Sequence, residues 1–173
     1  FADTIEISTD HHSAMATYMV MGPVSVEDAC SPQVSVTAVI DNKVIVDKGA
    51  KVQLKKGYHT IKYVVKDGCG NETMGSTVIH VYDNEPPQIV CHDITVEVAV
   101  DSFSTVCLDD LPISATDNCG DVDLSIRKDE DLCNDGINDL VYKDCVTFCC
   151  DDESITYVTV RGIDPVGNVS TCR

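Results

Sequence analysis

Tryptophan is absent, and aromatic residues make up only 5% of the 173 positions, which removes the usual stacking platform of a carbohydrate-processing site. Basic residues are scarce as well: 12 Lys and Arg stand against 29 Asp and Glu, a formal charge of −17. A nucleic-acid backbone or an anionic membrane surface would be repelled by such a chain, and cations are its expected counter-charge. No apolar run approaches the roughly 20 residues that span a bilayer, so membrane insertion is not expected. The cysteines include no CxxC pair of the kind that holds zinc or works as a thioredoxin-type redox centre. Neither GxSxG nor HExxH organises the Ser, His and Asp residues, and the chain is read as non-enzymatic. His11-His12 lies in a polar loop without Cys or Glu at ligand spacing, and is read as solvent-exposed. No stretch fits an amphipathic helix for more than about two turns. The chain begins at Phe1 with neither an initiator Met nor a signal-peptide pattern, and is expected to be a piece of something longer.

What the sequence does have is cysteine and repetition. Ten Cys without metal spacing point to disulfides formed in an oxidising compartment, hence a secreted or cell-surface location. Phe1-Ala2-Asp3-Thr4-Ile5 lines up with Cys91-His92-Asp93-Ile94-Thr95, and Glu27-Asp28-Ala29-Cys30 with Thr116-Asp117-Asn118-Cys119. Further on, Lys66-Asp67-Gly68-Cys69-Gly70-Asn71 matches Ile163-Asp164-Pro165-Val166-Gly167-Asn168. The wider spacing of the later anchors gives the second copy about eight extra residues, an acidic insertion near 128–135. The copies occupy 1–82 and 88–173, and Asp83-Asn84-Glu85-Pro86-Pro87 is a stiff linker between them. Val34 to Val39 and Tyr58 to Val64 alternate with the period of a strand and are rich in β-branched and aromatic residues. Asp41-Asn42, Lys56-Gly57 and Gly70-Asn71 punctuate them as turns. The expected architecture is all-β, two tandem sandwiches stapled by disulfides.

The run from Leu54 to Asn71, in which a Gly turn leads into an alternating strand that ends in Asp67-x-x-Gly70-Asn71, resembles the hyalin repeat. Glu85-Pro86-Pro87-Gln88-Ile89-Val90-Cys91 is similar to the start of the next repeat, and Ala115-Thr116-Asp117-Asn118-Cys119-Gly120 to its middle signature. The resemblance covers nearly the whole chain. It implies immunoglobulin-like modules of the kind found in tandem in secreted and cell-surface proteins, above all large bacterial surface adhesins, and with them a structural or adhesive role. The acidic insertion and the additional Cys of the second copy depart from the pattern, so nothing local to them is inherited.

The internal repeat also bears on the pairing of the cysteines. Cys91 and Cys172 fall where the first copy has Phe1 and Gly75, two positions that lose their Cys together, so a 91–172 bridge is expected. Cys30 and Cys69 are the only two in the first copy and are expected to bond each other. Cys107, Cys119, Cys133, Cys145, Cys149 and Cys150 remain to pair among themselves or to stay as thiols. Cys149 and Cys150 are adjacent in a strand and face opposite ways, so each is expected to reach a different partner.

Charge is concentrated in the second copy: residues 83–173 hold 20 acidic and 5 basic groups, against 9 and 7 in residues 1–82. Asp129, Asp131, Asp135 and Asp139, with Glu130, Asn134 and Asn138, supply the hard oxygen donors that calcium prefers. The insertion is not an EF-hand, and a solvated acidic loop is the competing reading. The linker is similar to the calcium-binding junctions of cadherin repeats, with Asp83, Glu85 and loop residues such as Asp117 or Asp164 as donors. Calcium is thus the one cofactor the sequence invites. The expected function is a structural or adhesive repeat of a larger extracellular protein or filament, with neighbouring repeats or other copies of the same chain as partners. The alternative is a calcium-dependent module that binds a surface glycan or protein. Only five residues follow Asn168, where eleven separate Asn71 from Asp83. Two readings of this difference stand: an edge that a strand of another chain completes, or a cut inside a repeat array.

Overall fold

The structure is a computed structural model, and it describes residues 4–22, 26–29, 33–45 and 49–173. The chain divides into two compact units, Phe1–Asn84 and Glu85–Arg173.

In the first unit the seven described strands are β1 (Thr4–Ser8), β2 (Met15–Met19), β3 (Val34–Ile40), β4 (Lys43–Ile45), β5 (Lys51–Lys55), β6 (Gly57–Asp67) and β7 (Glu72–Tyr82). One sheet runs β1-β7-β6-β3-β4 and the other pairs β2 with β5. All pairings are antiparallel except β1 with β7. Because side chains alternate along a strand, Ile61 and Tyr63 of β6 and Ile79 and Val81 of β7 turn inward. They meet Ala16 and Tyr18 of β2, Ala38 and Ile40 of β3, and Leu54 of β5 in one buried cluster. The Tyr63 hydroxyl donates to the Met21 carbonyl at 2.6 Å, so its polar end is satisfied where its ring is buried.

The second unit comprises β8 (Gln88–Val90), β9 (Phe103–Cys107), β10 (Ser114–Thr116), β11 (Asp123–Lys128), β12 (Cys145–Cys149), β13 (Val158–Ile163) and β14 (Val169–Cys172). Its sheet β11-β13-β14 repeats the order β3-β6-β7, and its pair β9-β12 repeats β2-β5. β8 also pairs with β10, and β11-β13-β14 with β12-β9 around one core makes an immunoglobulin-like sandwich. The second core is smaller, with only Ile126, Val146 and Val160 fully inside, flanked by Ile89, Leu108, Leu111, Ile113, Leu124, Phe148 and Val158. A core of that size gives little hydrophobic stabilisation, and covalent staples make up the difference. Three are present: Cys91–Cys172, Cys107–Cys145 and Cys133–Cys149.

Two features of the second copy take a definite form in the structure. Lys128, at the edge of the stretch read as the acidic insertion, belongs to β11, and the extra residues lie within 129–144, between β11 and β12. Among the six cysteines whose pairing the sequence left open, two bridges form. Cys107 joins Cys145 and Cys133 joins Cys149, but Cys150 is exposed and has no disulfide partner among the described residues. The reason is the strand period: Cys149 ends β12 facing inward, and Cys150 begins the turn on the outer side. The three bridges do not include Cys119. Cys69 is exposed and bonded to none of the described cysteines, and its expected partner, Cys30, lies outside the described residues.

Candidate functional site

The signature Asp-x-x-Gly-Asn closes the turn between the last two strands in both units, and hydrogen bonding explains its residues. Asp67 Oδ1 accepts the backbone N–H groups of Cys69 and Asn71 at 2.9 and 2.8 Å, and Asn71 Nδ2 donates to Asp67 Oδ2 at 2.6 Å. Asp164 Oδ1 accepts from Val166, Gly167 and Asn168 at 3.0, 2.7 and 2.8 Å, and Asn168 Nδ2 donates to its Oδ2 at 2.7 Å. The glycines at the fourth position, Gly70 and Gly167, have φ of 91° and 97°, where a Cβ is disfavoured. The side-chain bond from Asn71, joined by backbone N–H donors, holds the Asp67 carboxyl below its ordinary value although burial opposes it. Burial works against ionisation of Asp164 more strongly, yet Asn168 and the backbone donors together outweigh it and keep that carboxyl low too. The amide nitrogens of the two sequons, Asn71-Glu72-Thr73 and Asn168-Val169-Ser170, are thus engaged inside the turn.

Asp164 has an acidic neighbour in its own unit. A carboxylate oxygen of Asp117 lies within 4.8 Å of one from Asp164. Asp117 Oδ1 accepts from the Cys119 N–H at 2.8 Å, and its Oδ2 is buried without a hydrogen-bond partner. Two carboxylates at that separation repel each other unless a cation lies between them.

The acids of the insertion have different fates. Asp129 is held by protein cations: its Oδ2 pairs with Arg173 at 2.6 Å and its Oδ1 accepts from the Thr159 hydroxyl at 2.6 Å. Asp139 is fully buried, ion-paired with Lys143 and accepting the Thr147 N–H at 2.9 Å. Asp131 Oδ2 caps the Asp139 N–H at 3.1 Å and Asp135 Oδ1 caps the Ile137 N–H at 2.8 Å. Their other oxygens, Asp131 Oδ1 and Asp135 Oδ2, are buried and accept no hydrogen bond. Among the described residues, no three insertion carboxylates lie within 4.8 Å of one another. Of the linker acids, Asp83 is buried in the first unit and Glu85 is half-buried in the second.

The centre that sequence reading missed is built on Lys128, whose side chain is 0% exposed. Its Nζ lies 2.6 Å from Asp152 Oδ1, donates to the Thr147 carbonyl at 3.1 Å, and sits 3.7 Å from Cys133 Sγ and 5.2 Å from the centre of the Phe148 ring. Asp152 is 6% exposed, and its Oδ2 accepts the Cys149 N–H at 2.9 Å. Cys133, Cys149 and Asp152 offer ligand atoms within 4.8 Å of one another, but both sulfurs are committed to a disulfide and provide no thiolate for a metal. A signal for this centre was present in the sequence: Leu124, Ile126 and Lys128 share one face of a period-two strand.

Compared with known proteins, the chain matches no family model and no curated protein sequence. Among solved structures it is similar to a three-immunoglobulin-domain fragment of titin in a Glu-to-Ala mutated form, at 14% identity with a TM-score of 0.43, covering 98% of this chain and 60% of that one. It is also similar to SGBP-B of the Bacteroides ovatus mixed-linkage glucan utilization locus, in complex with a mixed-linkage heptasaccharide, at 14% identity with a TM-score of 0.33. That match covers 98% of this chain and 42% of SGBP-B, so the chain spans less than two thirds of either structure.

Proposed function

We propose that this chain is a non-enzymatic structural or adhesive repeat module of a larger extracellular or cell-surface protein or filament. The observation that carries the reading is that one immunoglobulin-like plan occurs twice, closed each time by the same Asp-x-x-Gly-Asn turn. Repetition of the sandwich gives length, and the staples of the second copy add resistance to unfolding. The three disulfides of the second unit suit an oxidising, extracellular setting. Neighbouring repeats or other copies of the chain are its partners. Antibodies raised against the chain should label intact source cells or their shed filaments. Labelling obtained only after the cells are permeabilised would overturn the reading.

A second reading, a calcium-dependent module for a surface glycan or protein, draws support from the unpartnered buried oxygens of Asp117, Asp131 and Asp135 and from the closeness of Asp117 to Asp164. Hard carboxylate oxygens without donors are what calcium takes. On this reading calcium added to the chain gives saturable heat in calorimetry. Asn at Asp117, or at Asp131 and Asp135 together, weakens that binding, and any glycan retained on an array is released by a chelator. Calcium heats indistinguishable between the parent chain and these variants would leave the acids as a solubilising surface.

A further inference from the structure

The Lys128 and Asp152 pair is unusual for a domain with so small a core. Both side chains are almost wholly withdrawn from water, in a compartment walled by the Phe148 ring and the Cys133–Cys149 disulfide. Two ions so placed give up their hydration, and their mutual attraction repays it poorly. Moving one proton from the ammonium to the carboxylate leaves an amine and a carboxylic acid, which carry no net charge to desolvate. Each reacting group is held in place. Nζ is fixed by the Thr147 carbonyl at 3.1 Å and by Asp152 Oδ1 at 2.6 Å, and Asp152 Oδ2 by the Cys149 N–H at 2.9 Å. An amine and an acid fixed at contact distance react as one molecule, with the effective concentration that such fixing brings.

We propose that Lys128 and Asp152 condense to an intramolecular amide that ties the end of β11 to the turn after β12. The Nζ lone pair adds to the carboxyl carbon of Asp152, and the developing charge on Oδ2 is met by the Cys149 N–H. The adduct collapses by releasing Oδ1 as water, which carries the proton of the acid and one proton from Nζ. One C–N bond forms, one C–O bond breaks, and one water leaves; no oxidant, metal or co-reactant takes part. The burial that holds the two groups together also keeps water from reversing the step. The resulting cross-link stands beside the Cys133–Cys149 bridge, which joins the 129–144 segment to β12, but a reductant does not open it. It suits a load-bearing module, although it depends only on the geometry of this centre.

The test is the mass of the purified, folded full chain after denaturation, reduction and alkylation. Most chains should lack one water relative to the sequence mass. Trypsin should fail to cut after Lys128 and should give a branched peptide joining the Lys128 and Asp152 segments. In Asp152→Asn the same attack expels ammonia and yields the identical linked product, whereas Lys128→Arg, which keeps the charge without the nucleophilic amine, gives the full sequence mass. Parent protein that is folded by circular dichroism, and in which most chains have the full sequence mass and release the two peptides separately, overturns the proposal.

Discussion

Two aspartates carry the closing turns, and their side chains replace backbone partners that a five-residue turn does not provide. Asp164 satisfies three main-chain N–H groups and one side-chain amide at once. Truncating it to Ala orphans these donors in a buried position and should cost about 1–3 kcal/mol in denaturant unfolding at neutral pH. Because its folded-state carboxyl lies below the ordinary value, the stabilisation is fully present above the unfolded-state value. It fades as the pH falls through the lowered folded-state value. The gap in unfolding midpoint between the parent chain and Asp164→Asn should therefore be widest near neutrality and close in strong acid. A gap independent of pH would mean that the carboxylate charge plays no part. His59 has the opposite sign. Burial disfavours its charged form, but the Asp41 carboxylate at 2.5 Å and the Lys55 carbonyl at 2.7 Å prevail and raise its value. Its contribution is complete below the unfolded-state value and is lost as the pH rises through the raised one. An NMR titration of the ring should show a midpoint above that of a free histidine, and Asp41→Asn should return it toward the free value.

In β13, Gly162 has no room for a side chain. A Cβ built there meets Ile89 Cδ1 at 2.6 Å and Val122 Cγ1 at 2.8 Å, so the missing side chain makes room for Ile89 of β8 against the sheet. Gly162→Ala should destabilise the second unit by about 1–3 kcal/mol through overpacking. Ala at 162 combined with Ile89→Val, which removes the contacting methyl, should recover part of the loss. Thermal unfolding of the single and double variants measures both effects. The strand β11 illustrates how pattern and chemistry part company: its alternation places Lys128 inward with Leu124 and Ile126, and the partner that makes a cation tolerable there, Asp152, comes from a turn 24 residues on.

At the scale of the whole chain, the two units differ in what stabilises them. Among the described residues, the first has ten in its buried cluster and the second three, with three disulfides added. Each bridge in so small a domain is typically worth about 2–5 kcal/mol. Calorimetry should resolve a transition that reductant lowers strongly, belonging to the second unit. The other transition tests the expected Cys30–Cys69 bond, since it moves with reductant only where that bond exists. The second unit also carries most of the negative charge, and self-repulsion is relieved by screening. Its transition should rise with sodium chloride. If calcium is bound, a far smaller calcium concentration should give the same rise, and excess chelator should abolish it.

The all-β class, the repeat and the closing turns were legible in the sequence because each rests on local rules: a strand alternates every second residue, and an Asp-x-x-Gly-Asn turn closes on itself within five. The prospect of a 91–172 bridge was legible for another reason, that two copies of one plan can be compared position by position. The sequence did not disclose which of the remaining cysteines meet, that Asp129 and Asp139 answer to Arg173 and Lys143, or that Lys128 is enclosed with Asp152 beside a disulfide. Such pairings depend on which side chains the two sheets bring face to face across 129–144, a stretch longer than the one that joins β3 to β5 in the first copy. Burial then sets their chemistry, because a charge costs little where water reaches it and demands a partner where water does not.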